Sequence, residues 1–131
     1  MGFLTKKKIL EADDLLVETV EVTQWGGTVR VRGMSGAERD KLDLWITERR
    51  NGETVSRLDN FRAKVLALTL VDEDGKLLFD ESDIEALAKK SAIALEQVFN
   101  VASRLSGLTI GDLKEIEKNL SSGQSGGSGT A

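Results

Sequence analysis

Apolar and polar positions switch period several times along this chain, and each switch marks an expected element. After Thr5, positioned to cap a short helix over "KKKILEA", an "ADD" turn intervenes. From Leu16 to Val22 the residues alternate in a β-branched run; "TQWGG" interrupts, and "TVRVRG" alternates again. Two alternating runs around a Gly-Gly turn predict a β-hairpin, with Val29 and Val31 on one face and Thr28, Arg30 and Arg32 on the other. Ser35 followed by Glu38 is a capping box that opens a helix carrying Leu42, Trp45 and Ile46, with Gly52 in "RRNGE" as its stop.

The strongest helical stripe follows. Leu58, Phe61, Val65 and Leu68, widened by Leu66 and Leu70, predict a central core helix near 57–71. The Asp-Gly turn in "VDEDGKLLF" fits either a second short hairpin or a long loop. Ser82 with Glu85 repeats the capping-box spacing, and the helical period then runs through Leu95, Val98, Phe99, Ala102 and Leu105 with a break expected near Ser91. Gly107 ends that run, and Thr109 opens a last helix with a narrow stripe of Leu113, Ile116 and Leu120. The expected fold is α+β and mostly helical: one N-terminal hairpin, then four to five helices packed around the central one. Residues 1–120 read as one globular domain, and the Gly/Ser-rich residues 121–131 as a flexible tail that offers no apolar area to bury.

Composition removes whole classes of chemistry. The chain contains no Cys and no His, so thiolate nucleophiles, disulfides and imidazole bases or ligands are all excluded. No Ser or Thr stands with a base in a catalytic arrangement, and the reading is non-enzymatic, with no cofactor and no metal. The acidic "DEDGKLLFDE" fails as a calcium loop, because the first ligand position falls on Leu70. A net charge of −4 argues against a nucleic-acid partner. That charge is uneven: residues 30–64 carry +3, whereas residues 65–131 carry −5, a split suited to internal pairing or to charge-steered docking. The opening residues lack the apolar core of a secretory leader, and no apolar run is long enough to span a bilayer, so no membrane association is expected.

Candidate contact residues are few. Trp25 stands at a turn, outside any periodic stripe, as a core-edge side chain or an interface anchor. Arg30 and Arg32 share one strand face and could grip carboxylates, or could simply keep that face soluble. The Leu113, Ile116 and Leu120 stripe can dock internally or on a partner.

Several runs taken together resemble a known family. "FLTKKKILEADDLLVETVEV", "WGGTVRVRGMSGAERD", "LTLVDEDGKLLF" and "ALAKKSAIALEQVFNVASRLSGLT" are similar, over about residues 3–119, to the tail assembly chaperones of long, non-contractile-tailed (siphovirus-type) bacteriophages and their prophage relatives. The resemblance implies a protein of the host bacterial cytoplasm that binds the tape-measure protein. It would keep that protein soluble while the tail tube assembles, and would be absent from the mature virion. It also implies, in many relatives, a longer frameshifted product whose extra domain recruits the tail-tube protein; this chain would be the short form. Self-association is compatible with this reading. The rival reading is a structural head–tail or tail completion protein of the virion.

Overall fold

The computed structural model describes residues 2–108. Helix α1 (Lys6–Glu11) is capped by Thr5, whose hydroxyl accepts the Lys8 N–H at 3.2 Å. Strands β1 (Val17–Val22) and β2 (Gly27–Arg32) form the expected antiparallel hairpin, in register from Val17 opposite Arg32 to Val22 opposite Gly27. A 3-10 turn at Thr23–Trp25 joins them, and Gly26 at φ 71° takes the left-handed conformation that turns the chain back.

Helix α2 (Gly36–Trp45) begins at the predicted capping box, with both reciprocal bonds present between Ser35 and Glu38. It stops well short of Gly52. Strands β3 (Thr47–Arg50) and β4 (Glu53–Ser56) form a second hairpin, closed by Asn51 at φ 50° and Gly52 at φ 81°. Positive φ at both central residues is the tight primed turn that Asn-Gly favours, so Gly52 closes a hairpin rather than ending a helix.

The central helix is also shorter than its stripe. Helix α3 covers only Phe61–Ala67, starting after Asn60 in the left-handed region. At its far end the Thr69 hydroxyl bonds back to the Val65 carbonyl at 2.9 Å. Leu70–Val71 leaves the helix as strand β5 and pairs with β2, Arg30 opposite Val71 and Val31 opposite Leu70. The sheet order is β1-β2-β5, and after the Gly75 turn Leu77 bridges back to Val71, a short return of the kind the Asp-Gly turn allowed. The expectation of a mostly helical domain with a single hairpin is therefore corrected: among the described residues five helices stand beside five strands in two small antiparallel sheets. Residues buried on every side, such as Leu70 and Val71, satisfy a helical stripe and a strand equally well.

Helices α4 (Ile84–Ala88) and α5 (Ala92–Leu105) are separate, broken where expected, with Ser91 capping α5 through the Ala94 N–H. The cap before α4 is shifted from the expected Ser82–Glu85 pair. Asp80 and Asp83 form the reciprocal box instead, over a 3-10 turn at Glu81–Asp83. Gly107, at φ 75°, closes α5.

The core lies between the inner face of the three-stranded sheet and α3 and α5. Val20, Val22 and Val31 meet Leu66, Val98 and Ala102, and Phe61 packs edge-on against Phe99 with ring centroids 5.8 Å apart. Gly33 marks where sheet and helix ends meet. Its N–H bonds Leu16 O, the adjacent Met34 N–H bonds the Ser106 hydroxyl, and a Cβ on Gly33 would lie 2.4 Å from Leu105 O. The expected last helix with Leu113, Ile116 and Leu120, and the expected tail at 121–131, lie outside the described residues.

Candidate partner-binding surfaces

Trp25 ends the 3-10 turn at the tip of the first hairpin, where the chain reverses and cannot continue the inward alternation of β1. Its ring is half-buried against the core. The tip is tied to α5 by the Gln97 side-chain amide, which donates to Glu21 O at 2.9 Å. Trp25 forms one wall of an apolar groove of about 480 Å³, with Phe79, Leu87 and Ala86 opposite and Gln24, Asp83 and Lys90 at its rim. The Trp25 indole N–H is buried with no acceptor among the described residues.

Arg30 lies on the outer face of the sheet and is exposed. It borders a second groove, of about 350 Å³, together with Thr19, Thr28, Val71, Glu73 and Leu78. Arg32, two residues on, shares that side of the strand but spends its donors internally. Its guanidinium bonds the Glu38 carboxylate, Gly33 O at 3.3 Å and Gly75 O at 3.2 Å, with 17% of the side chain exposed. Arg32 thus ties β2 to the capping box of α2 and to the Gly75 turn, while Arg30 stays available. The two arginines and Trp25 do not form one site: Trp25 and Arg30 border different grooves. Leu113, Ile116 and Leu120 are outside the described residues.

Sequence reasoning overlooked the apolar surface of the N-terminal arm. No residue of α1 is buried, and Phe3 (103%), Leu4, Ile9, Leu10 and Leu16 are all exposed. The signal was present in "FLTKKKIL", where two apolar pairs flank three lysines.

Ionic contacts reinforce the frame around these surfaces. Arg104 of α5 hydrogen-bonds Glu18 of β1 and holds its carboxyl below the usual carboxylate range. In the turn after β5, the backbone N–H of Lys76 does the same for Asp72, aided by that of Asp74. No group of three or more acidic side chains among the described residues is placed to hold a metal ion.

The described residues thus carry two open grooves and an exposed apolar arm. A family model described as phage tail assembly chaperone matches residues 6–119. The chain belongs to that family. No curated protein and no solved structure matches it. Membership places this tail assembly chaperone in the building of a phage tail and agrees with a non-enzymatic role. No helix among the described residues is long and apolar enough to cross a membrane.

Proposed function

We infer that this chain binds the tape-measure protein in the host cytoplasm and keeps it soluble while the tail tube assembles, leaving before the virion is complete. The observation that carries the reading is the apolar groove between Trp25, Phe79 and Leu87, on a member of the tail assembly chaperone family. A long helical client presents repeated apolar side chains flanked by charge. A shallow apolar groove rimmed by one anion, Asp83, and one cation, Lys90, takes such a side chain without selecting a single sequence. Each contact is weak, and many copies along an extended client add up through multivalency. That combination also permits release when tube subunits compete. A longer frameshifted form would add the link to the tail-tube protein, with the present fold holding the client.

Co-expression tests this reading. The wild-type chain should raise the soluble yield of the tape-measure protein several-fold. Ala86→Glu, which places a carboxylate on the exposed wall of the groove opposite Trp25, should abolish the gain while leaving the chain's own melting temperature unchanged. No effect of the wild type on client solubility, or stoichiometric amounts of the chain in purified virions, overturns it.

A further inference from the structure

The Trp25 groove does not end at Phe79. That ring also borders a second depression, of about 540 Å³, lined by Leu68 and Leu77 and reaching Trp45. Trp45, Glu81 and Ser82 in turn border a third, of about 390 Å³, that extends to Asp59 and Glu85. The three depressions therefore adjoin one another along residues 79–90, with the half-buried rings of Trp25, Phe79 and Trp45 spaced through them. A furrow with several aromatic stations fits a segment of chain rather than a single side chain.

Charge changes along the furrow. At the Trp25 end the rim is balanced, Asp83 against Lys90. Toward Trp45 it follows the turn before α4 and the start of that helix, where Asp80, Glu81, Asp83 and Glu85 are crowded together. Asp80 and Asp83 spend part of their capacity on the cap of that turn. Glu81 and Glu85 are exposed and enter no ion pair among the described residues. The cations nearby do not neutralise them. Arg57 pairs with Glu48 and Asp59, and Lys64 is turned onto the carbonyls of Trp45 and Arg57, which leaves Lys41 at the rim of the second depression.

We propose that the furrow from Trp25 to Trp45 holds a basic amphipathic segment of the client, its apolar side chains on the three rings and its Lys or Arg side chains toward Glu81 and Glu85. This rests on the reading of the Trp25 groove as the client site, and adds the charge that the bound segment must carry. An acidic segment with the same apolar face meets repulsion along the Asp80–Glu85 stretch, so charge selects among segments that the rings alone would accept equally. These carboxylates are open to water, so the selection weakens as salt rises.

Trp25 and Trp45 are the chain's only tryptophans and it has no tyrosine, so its own fluorescence reads both ends of the furrow. The probes are an amphipathic helical peptide of Leu and Lys, and its counterpart with Glu in place of Lys. At low salt the Leu/Lys peptide should shift the emission of Trp45 in the Trp25→Phe chain and of Trp25 in the Trp45→Phe chain, with similar Kd. The Leu/Glu peptide should bind the wild type at least about tenfold more weakly. Glu81→Lys with Glu85→Lys should cost the Leu/Lys peptide a similar factor with an unchanged circular dichroism spectrum, since neither residue is buried. Equal affinity for the two peptides, a response at one tryptophan only, or full affinity in the double variant overturns the proposal. Co-expression separates it from the reading beneath it. A wild type that fails to raise the solubility of the tape-measure protein overturns the client reading whatever the peptides do, whereas a wild type and a double variant that raise it equally overturn the charge selection alone.

Discussion

The two hairpins of this fold are built on opposite principles. In β1–β2, inward-facing Val20, Val22 and Val31 are buried, and α5 rests on that face. In β3–β4 no residue is buried, the strands are four residues long, and most side chains are charged or hydroxyl-bearing. The first is held by its face and has an irregular tip, where Trp25 is free to shape a groove. The second is held by its turn and its roots. Asn51 and Gly52 set the turn, Glu48 pairs with Arg50 and Arg57, and Arg57 N–H bonds Ile46 O. Burial fixes strand register strongly, whereas a strand wet on both faces must take its register from the turn. Substitutions should therefore damage the first hairpin through the core and the second through a few polar contacts.

The largest effect is expected at the base of the first hairpin. Gly33→Ala pushes a Cβ to within 2.4 Å of Leu105 O, a backbone atom that cannot swing aside. Overpacking of this kind costs roughly 1–3 kcal/mol, and the upper end applies here because β2 and α5 must separate. Thermal unfolding should show the fall in one cooperative transition. A neutral outcome would mean that the sheet and α5 are not rigidly joined.

Lys64 is the counterpart for the second hairpin. Its side chain, 9% exposed, donates to Trp45 O at 3.1 Å and Arg57 O at 3.4 Å, at the end of α2 two residues before β3 and just after β4. Lys64→Met strands both carbonyls and should cost about 2 kcal/mol. Burial pushes the Lys64 ammonium below its ordinary value, an effect that Asp59 offsets only in part. The protonated form is thus disfavoured in the folded state, so its contribution to stability improves as pH rises from the lowered value toward 10.5. The methionine variant should lose that alkaline slope in denaturant titrations at increasing pH; an unchanged slope would assign it to another group.

The same contrast explains what could be read from the sequence. Alternation at 16–32 was legible because one face is buried. The run at 47–56 has a single apolar residue, Val55, so only Asn51-Gly52 signalled a hairpin, and Gly52 also fits the end of a helix. Periodicity over 57–71 could not separate α3 from β5, because every residue from Ala63 to Val71, the two between the elements included, is buried. The Ser82–Glu85 spacing suggested the cap before α4, whereas the box forms two residues earlier, between Asp80 and Asp83, whose spacing is the same. Among contact residues, Trp25 was visible as an aromatic off any stripe. Its groove was not, since Phe79 and Leu87 reach it only through the fold. Arg32 looked equivalent to Arg30, and its bonds to Glu38, Gly33 O and Gly75 O, the last of these 43 residues away, set it apart.

A smaller effect should follow from the turn itself. Gly52→Ala forces a Cβ into the left-handed region at φ 81°, a strain of about 1 kcal/mol with nothing but open space around it. The loss should be local. Amide exchange at Thr54 and Val55 should accelerate while that at Val20 and Val31 stays as in the wild type. Equal acceleration at both hairpins would show that they unfold as one unit and would break the comparison.

The smallest expected difference is in acid. Arg50 hydrogen-bonds Glu48 and, with Arg57, holds its carboxyl below the ordinary value of 4.5. A depressed carboxylate contributes stability that is present above the unfolded value and is lost as pH falls through the folded one. Glu18 in the first hairpin is lowered in the same direction by Arg104, yet the buried valines there hold the strands whether or not that pair is charged. Lowering the pH from about 6 to about 3 should therefore reduce the protection of β3–β4 before that of β1–β2, after correction for the intrinsic exchange rate. Added salt should shrink the difference, because exposed ion pairs are screened. If both hairpins lose protection together, or if salt leaves the gap unchanged, the second hairpin is held by something other than its charges.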